Sequence, residues 1–303
     1  MNALNAKTVF VCDSRHSFIR KESQENIEFD VIGKNKQTPT AIIPLSSISK
    51  SLWTSTVEAI QEYSRVVWDI FPSSKAICFV TFDGNKEVRL NSWNEEEQNL
   101  SFFSNCFSKA SMNAHADGSH TNTVSENNAV LRGLQAAVET LCVPSKIQEE
   151  RRKQKLVDVN KGRIILISYF KSDSQIKMIA EFILDAVKNF NQIITSNVDS
   201  ETTSVKLPLN ELNLVIINTH PINESSRITE IPYHEISSNI TCEVVSVKSG
   251  SFLASKLMSL VLYHYNLAST TVTGIPMKEE QNASSSANYD VELLHPSEAH
   301  IDL

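Results

Sequence analysis

Hydrophobic positions follow two different rhythms along the chain. Four short runs are apolar almost throughout: Thr8–Cys12 (TVFVC), Ala76–Phe82 (AICFVTF), Arg163–Ser168 (RIILIS) and Leu212–Asn218 (LNLVIIN). They lack the in–out alternation of a half-exposed strand, and a strand covered on both faces requires that continuity. Val88–Leu90 predicts a short edge strand, and Thr241–Val247 a further one. Between these runs, apolar residues recur at steps of three and four, which places them on one helical face. Leu52, Thr56, Ile60, Tyr63, Val67 and Ile70 form the first such stripe, and Pro72 ends it. Leu131, Leu134, Val138 and Leu141 form a second stripe. Ile176, Ile179, Ile183, Val187 and Phe190 form a third, and Leu253, Leu257, Leu260 and Val261 a fourth.

Strands that alternate with helices predict an α/β fold of three layers, with a doubly wound, mainly parallel sheet between helices. Two polar stretches, Met112–Glu126 and Asn191–Pro208, are expected to be surface insertions, because they offer no apolar face to a core.

Composition narrows the chemistry. With 41% hydrophobic and 21% charged residues, the chain can build a core. It has only seven glycines and neither a GxGxxG nor a GxxxxGK[ST] sequence, which argues against a phosphate cradle. No GxSxG elbow and no HExxH pair is present either, so no enzymatic activity is predicted. The five cysteines stand singly, without a CxxC, which fits a reducing compartment and thiols that act as small hydrophobes. No apolar run reaches the length of a membrane span, so no membrane contact is expected. The net charge of −7 is concentrated after Lys278, where one lysine faces six carboxylates. The rest is near neutral and creates no whole-molecule field toward nucleic acid. One local exception is 146–163 (KIQEERRKQKLVDVNKGR), with seven basic and three acidic residues.

Longer phrases are more distinctive than any of these motifs. LASTTVTGIPMKEEQNASSSANYDVELLH (Leu267–His295) obeys neither rhythm for long, so a hydrophobic core does not account for it. It closely resembles the Asunder family, also called the Integrator complex subunit 13 family. ISKSLWTSTVEAIQEYSRVVWDIFP (Ile48–Pro72), LNSW (Leu90–Trp93), GLQAAVETLC (Gly133–Cys142), GRIILIS and KSDS (within Gly162–Ser174) agree with it. The resemblance covers almost the whole chain. It implies a von Willebrand factor A-like domain over 6–266, followed over 267–303 by a linker and the beginning of a truncated β-barrel. It implies a non-catalytic scaffold subunit of Integrator, the nuclear complex for small nuclear RNA 3′-end processing and transcription termination. Subunits 14 and 10 are the implied partners, and no cofactor is expected. A linked role in mitosis, meiosis and perinuclear dynein localisation is implied as well, so nucleus and cytoplasm are both expected.

Three sets of residues are the candidates for function. A domains hold a magnesium ion with a D-x-S-x-S loop, since a carboxylate and hydroxyls suit a hard cation. Here Asp13 and Ser17 match that loop, Arg15 replaces its middle serine, and Asp173 loosely matches a third ligand, so the expected outcome is a degenerate site without metal. A metal-dependent adhesion module is the alternative. Arg151, Arg152, Lys153 and Lys155 are the candidates for RNA or DNA phosphates, against the plainer reading of a solvated helix with internal ion pairs. Trp53, which falls outside its helix's main stripe, and Ile275, Met277 and Tyr289 are the candidates for partner contact.

Overall fold

The computed structural model describes residues 6–26, 49–84, 86–116, 126–156, 159–196, 206–278 and 286–300. The apolar runs become neighbours in one sheet. Its interior strand β1 (Lys7–Asp13) pairs in parallel with β4 (Ile77–Phe82) on one side and β6 (Lys161–Ser168) on the other. Beyond β6 lie β7 (Glu211–His220) and β9 (Ile240–Lys248), also parallel. Antiparallel strands β5 (Glu87–Arg89) and β8 (Ile231–Ser237) close the edges, giving the order β5-β4-β1-β6-β7-β9-β8. This is the doubly wound, mainly parallel sheet expected from the sequence.

Alternation along β1 explains why its run is unbroken. Val9 and Val11 pack with Leu134 and Val138 of α4 (Glu126–Cys142) and Ile179 and Ile183 of α6 (Asp173–Ser196). Phe10 and Cys12 point to the opposite cluster, with Ile60 and Tyr63 of α2 (Leu52–Ile70) and Leu257 of α7 (Ser251–His264). Both faces are buried, so a polar residue there needs an internal partner. Helix α4 lies so close to β4 that a Cβ on Gly133 would meet the Phe82 ring at 2.8 Å. The buried cysteines behave as small hydrophobes. Burial pushes the Cys142 thiol up to about 11 and the Cys242 thiol up to about 12.

Three elements depart from the expectation. Helix α3 (Leu100–Ala116) runs into the stretch expected to be a surface insertion from Met112; residues 117–125 of that stretch lie outside the described residues. Helix α6 continues to Ser196, and Asn191 binds both the amide and the carbonyl of Leu209 (2.8 and 2.9 Å); residues 197–205 lie outside the described part. Strand β8 forms where the hydrophobic pattern predicts only a loop. Its Ile231 and Tyr233 are exposed and its pairing with β9 is irregular, so it carries no buried periodicity. After α7 comes a separate antiparallel ribbon, β10 (Leu267–Lys278) with β11 (Ser286–Pro296). No helix among the described residues is long and apolar enough to cross a membrane.

One buried polar cluster sits between β6 and α7. Arg163 is 1% exposed and donates to Thr8 Oγ1 (3.1 Å) and the His264 carbonyl (3.5 Å), with the Tyr265 ring at 5.6 Å. Tyr63 shares a hydrogen bond of 3.1 Å with His264 Nδ1. Burial first, then the charges of Arg163 and Lys256, hold His264 well below the ordinary histidine value. A histidine kept neutral in the fold takes up a proton only on unfolding. Its contribution to stability is therefore full above about pH 6.5 and is lost as pH falls below that value. Melting temperatures between pH 8 and pH 5 are expected to fall across this window, with a shallower slope for His264→Gln. An equal slope in the variant would show that other groups dominate.

Candidate functional site

In open α/β sheets, ligands bind beyond the carboxyl ends of the strands, where the strand order reverses. Here that point lies between β1 and β6, because β4 flanks β1 on one side and β6 on the other. Asp13, 0% exposed, ends β1 there. Its Oδ1 accepts from the Arg15 backbone amide (3.0 Å) and from Arg15 Nε (2.9 Å). Its Oδ2 accepts from Arg15 Nη2 (2.6 Å) and Ser168 Oγ (2.7 Å). The amide bond turns the chain from β1 into the short helix α1 (His16–Ile19), for which Arg15 is the N-cap residue in extended conformation. The guanidinium, with Arg15 9% exposed, also reaches Ser168 Oγ (3.3 Å) and stacks 5.8 Å from the Phe82 ring.

The other expected ligands do not join this pair. Ser17 is exposed on α1. Asp173 begins α6 and accepts from the Thr229 amide (2.9 Å) and hydroxyl (2.8 Å), which hold its carboxyl below the usual range. Glu224 accepts from Lys21 (2.8 Å) and the Tyr169 hydroxyl (3.0 Å), and the lysine is the larger cause of its lowered pKa. Among the described residues no group of three His, Cys, Asp or Glu side chains is placed to hold a metal. The donor set present does not fit a divalent cation.

Two sequence-invisible residues fasten the same end. Asn218, at the end of β7, accepts from the Phe170 amide (2.8 Å) and donates to Ser226 Oγ (3.1 Å) and Ser246 Oγ (2.9 Å). Gly250, before α7, has φ 71°, and a Cβ there would stand 2.5 Å from the Glu25 carboxylate. Glu25 belongs to β2 (Glu22–Asn26), which pairs with β3 (Ser49–Ser51). A partner several strands away in sequence identifies each role, so local pattern carries no signal for them.

The remaining candidates are dispersed. Helix α5 (Lys146–Lys153) starts with a capping box made by Ser145 and Gln148 and buries none of its residues. Arg151, Arg152, Lys153 and Lys155 are all exposed on or just after it. Two further cations of that basic stretch are not free for phosphates: Arg163 is buried and Lys161 pairs with Glu211 (2.9 Å). Helix α5 forms one wall of a cleft of about 890 Å³ at the amino ends of the strands, with Lys75, Trp68 and Trp93 also lining it. Trp53 corrects the expectation of partner contact. It is 4% exposed and packs on Phe107 at 5.8 Å, because α3 covers the side of α2 left bare by the sheet. Ile275 and Tyr289 face each other across the ribbon, and Tyr289 is 40% exposed. Met277 pairs with Ala287, while its side chain lies outside the described residues. Val272 and Leu293 are exposed on the ribbon as well, with no sequence pattern that marks them.

Fold and site together define a doubly wound α/β domain with a mainly parallel sheet, whose strand-end aspartate is satisfied internally. The chain belongs to the Mat89Bb family, described as cell cycle and development regulators, and matches it over residues 2–303. It is 41% identical to Integrator complex subunit 13 of Mus musculus, over 98% of this chain and 39% of that protein. With protein asunder of Drosophila willistoni the identity is 36%, over 98% and 42% of the two chains. The chain thus spans about two-fifths of the length of these curated relatives. Among solved structures, the VWA domain of SpRpn10 is 12% identical, with a TM-score of 0.37, covering 84% of this chain and 94% of that one.

Asn218→Ala would leave the Phe170 amide and two serine hydroxyls short of a partner. A loss of about 1–3 kcal/mol is expected. It should appear as a lower urea midpoint with unchanged m-value, and an unchanged midpoint would show that this network is dispensable.

Proposed function

We propose that this chain acts as a non-catalytic scaffold region within the Integrator complex, serving small nuclear RNA 3′-end processing and transcription termination in the nucleus. The observation that carries this reading is the 41% identity, over 98% of the chain, to a protein named Integrator complex subunit 13. The site's chemistry is in keeping with it, since Asp13, Asp173 and Glu224 at the strand-end face each have an internal partner. Subunits 14 and 10 are the proposed partners. The ribbon is the proposed docking element, because Val272 (40%), Tyr289 (40%) and Leu293 (50%) leave apolar surface open on it. We read 267–303 as the first strands of a β-barrel that such a partner would cover. A second role in mitosis and meiosis, with perinuclear dynein localisation, is proposed beside it; the family description as cell cycle and development regulators supports the cell-cycle part.

Co-expression with full-length subunits 14 and 10, followed by light scattering, tests the scaffold reading. A stable complex of the summed mass is expected. The pair Tyr289→Ser and Leu293→Ser should weaken it at least tenfold, since central apolar anchors each contribute roughly 2 kcal/mol or more. A monomeric, well-folded chain in the mixture would overturn the assignment of docking to the ribbon.

A second reading rests on the four exposed cations on and just after α5, which could guide RNA or DNA phosphates. Reversal of Arg151, Arg152 and Lys153 to Glu is then expected to weaken binding of a single-stranded RNA at least tenfold. The log–log salt slope should fall by about 0.7 for each phosphate no longer neutralised. Binding that survives the reversal would remove α5 from consideration.

A further inference from the structure

A domains place a divalent cation where β1 ends, and Asp13 stands at that place. We infer that the guanidinium of Arg15 is the resident cation of this position, standing where the metal would be, and that the strand-end face binds no divalent ion. The first reason is saturation. A carboxylate offers about four lone-pair positions, and Asp13 uses them on Arg15 N, Nε and Nη2 and on Ser168 Oγ. The second is fixation. The guanidinium grips both oxygens as a fork, is nearly buried, and lies against the Phe82 ring. Its own backbone amide is bound to the same carboxylate, which holds the carboxylate in place at the turn into α1. The third is charge. A divalent ion beside Asp13 would stand in contact with a second cation where little water screens them.

The serine hydroxyls point the same way. Ser168 gives its proton to Asp13 and receives Arg15 Nη2, which leaves it committed to the pair. Ser17 lies outside on α1, exposed. The arrangement is thus a closed three-residue unit of Asp13, Arg15 and Ser168 that joins the ends of β1 and β6. In sequence a single position separates it from the loop's wording, because Arg15→Ser restores D-x-S-x-S.

Thermal melts of the full chain in EDTA, millimolar Mg²⁺ and millimolar Mn²⁺ test the inference, with bound Mn²⁺ counted by electron paramagnetic resonance. The unmodified chain should bind no Mn²⁺ and melt at one temperature in all three solutions. Arg15→Ser should melt about 5–10 °C lower in EDTA, since it leaves a buried carboxylate uncompensated. It should then bind Mn²⁺ and recover part of the loss. Asp13→Asn combined with Arg15→Ser should melt above Arg15→Ser in EDTA and show no response to either ion. Should Arg15→Ser fail to fold, Arg15→Lys keeps the charge without the fork and should give a smaller loss with no Mn²⁺ bound. Mn²⁺ bound by the unmodified chain would overturn the inference. So would an Arg15→Ser chain that loses no stability, or one that loses it without acquiring Mn²⁺.

Discussion

A carboxylate buried at the end of an interior strand has to be neutralised, and the strand-end face is organised around that requirement. β1 is covered on both sides, so Asp13 has no access to water. An ionised carboxylate left alone in such a place costs several kcal/mol or more. Arg15 removes this cost and sets local geometry at the same time. Its amide closes the turn after β1, its guanidinium folds back over Phe82, and Ser168 is drawn in from β6. The two strands that flank the reversal in strand order are thereby tied at their ends. Neighbouring groups repeat the logic: Glu224 takes Lys21, Asp173 takes Thr229, and Asn218 fastens three strand ends.

The two ends of the sheet consequently differ in character. At the carboxyl ends, acids meet internal donors and little charge is left over. At the amino ends, cations gather instead. Lys7 donates to the Leu141 and Val143 carbonyls at the close of α4, where an ammonium offsets the negative end of a helix. Lys75 is lowered by burial first and by the charge of Arg163 next. Helix α5 adds its exposed cations to the rim of the cleft there. The domain thus pairs its strand-end acids internally and leaves a basic rim at one end and apolar side chains on the ribbon exposed.

How much of this was legible in sequence follows from where each signal resides. The five central strands and the helices α2, α4, α6 and α7 were visible because burial on two faces, or along one stripe, imposes a period on the residues themselves. Strand β8 escaped because an edge strand pairs on one side only and buries little, so composition is free there. Helix α3 escaped because only Phe103 and Phe107 are buried among its described side chains, packing onto Phe79 and Trp53, while serines and asparagines interrupt any longer stripe. The same omission misplaced Trp53, whose cover is α3. At the site, Asp13 and Arg15 were identifiable as a departure from a known loop. That the departure is a bond between the two is a property of side-chain direction, which spacing does not encode. Ser168 and Asn218 gave no signal, since their partners lie 155 and 48 residues away.

The ribbon obeys a different constraint from the domain that carries it. Two strands alone are marginal in water, so β10 and β11 need support from outside themselves. Their base has it: Leu267 is buried in the α2–α7 cluster with Leu294 against it, and Ser297 binds the Asn266 carbonyl. Farther out, the extra residue between Val272 and Ile275 makes a bulge. Gly274 takes φ 73° there and gives its amide to Asp290. Such a bulge sharpens the twist and turns the side chains beyond it. Val272, Tyr289 and Leu293 are left facing solvent, although fully burying one such side chain is worth roughly 1.5–3 kcal/mol. The support missing from the outer ribbon is therefore of the kind another surface supplies by covering it.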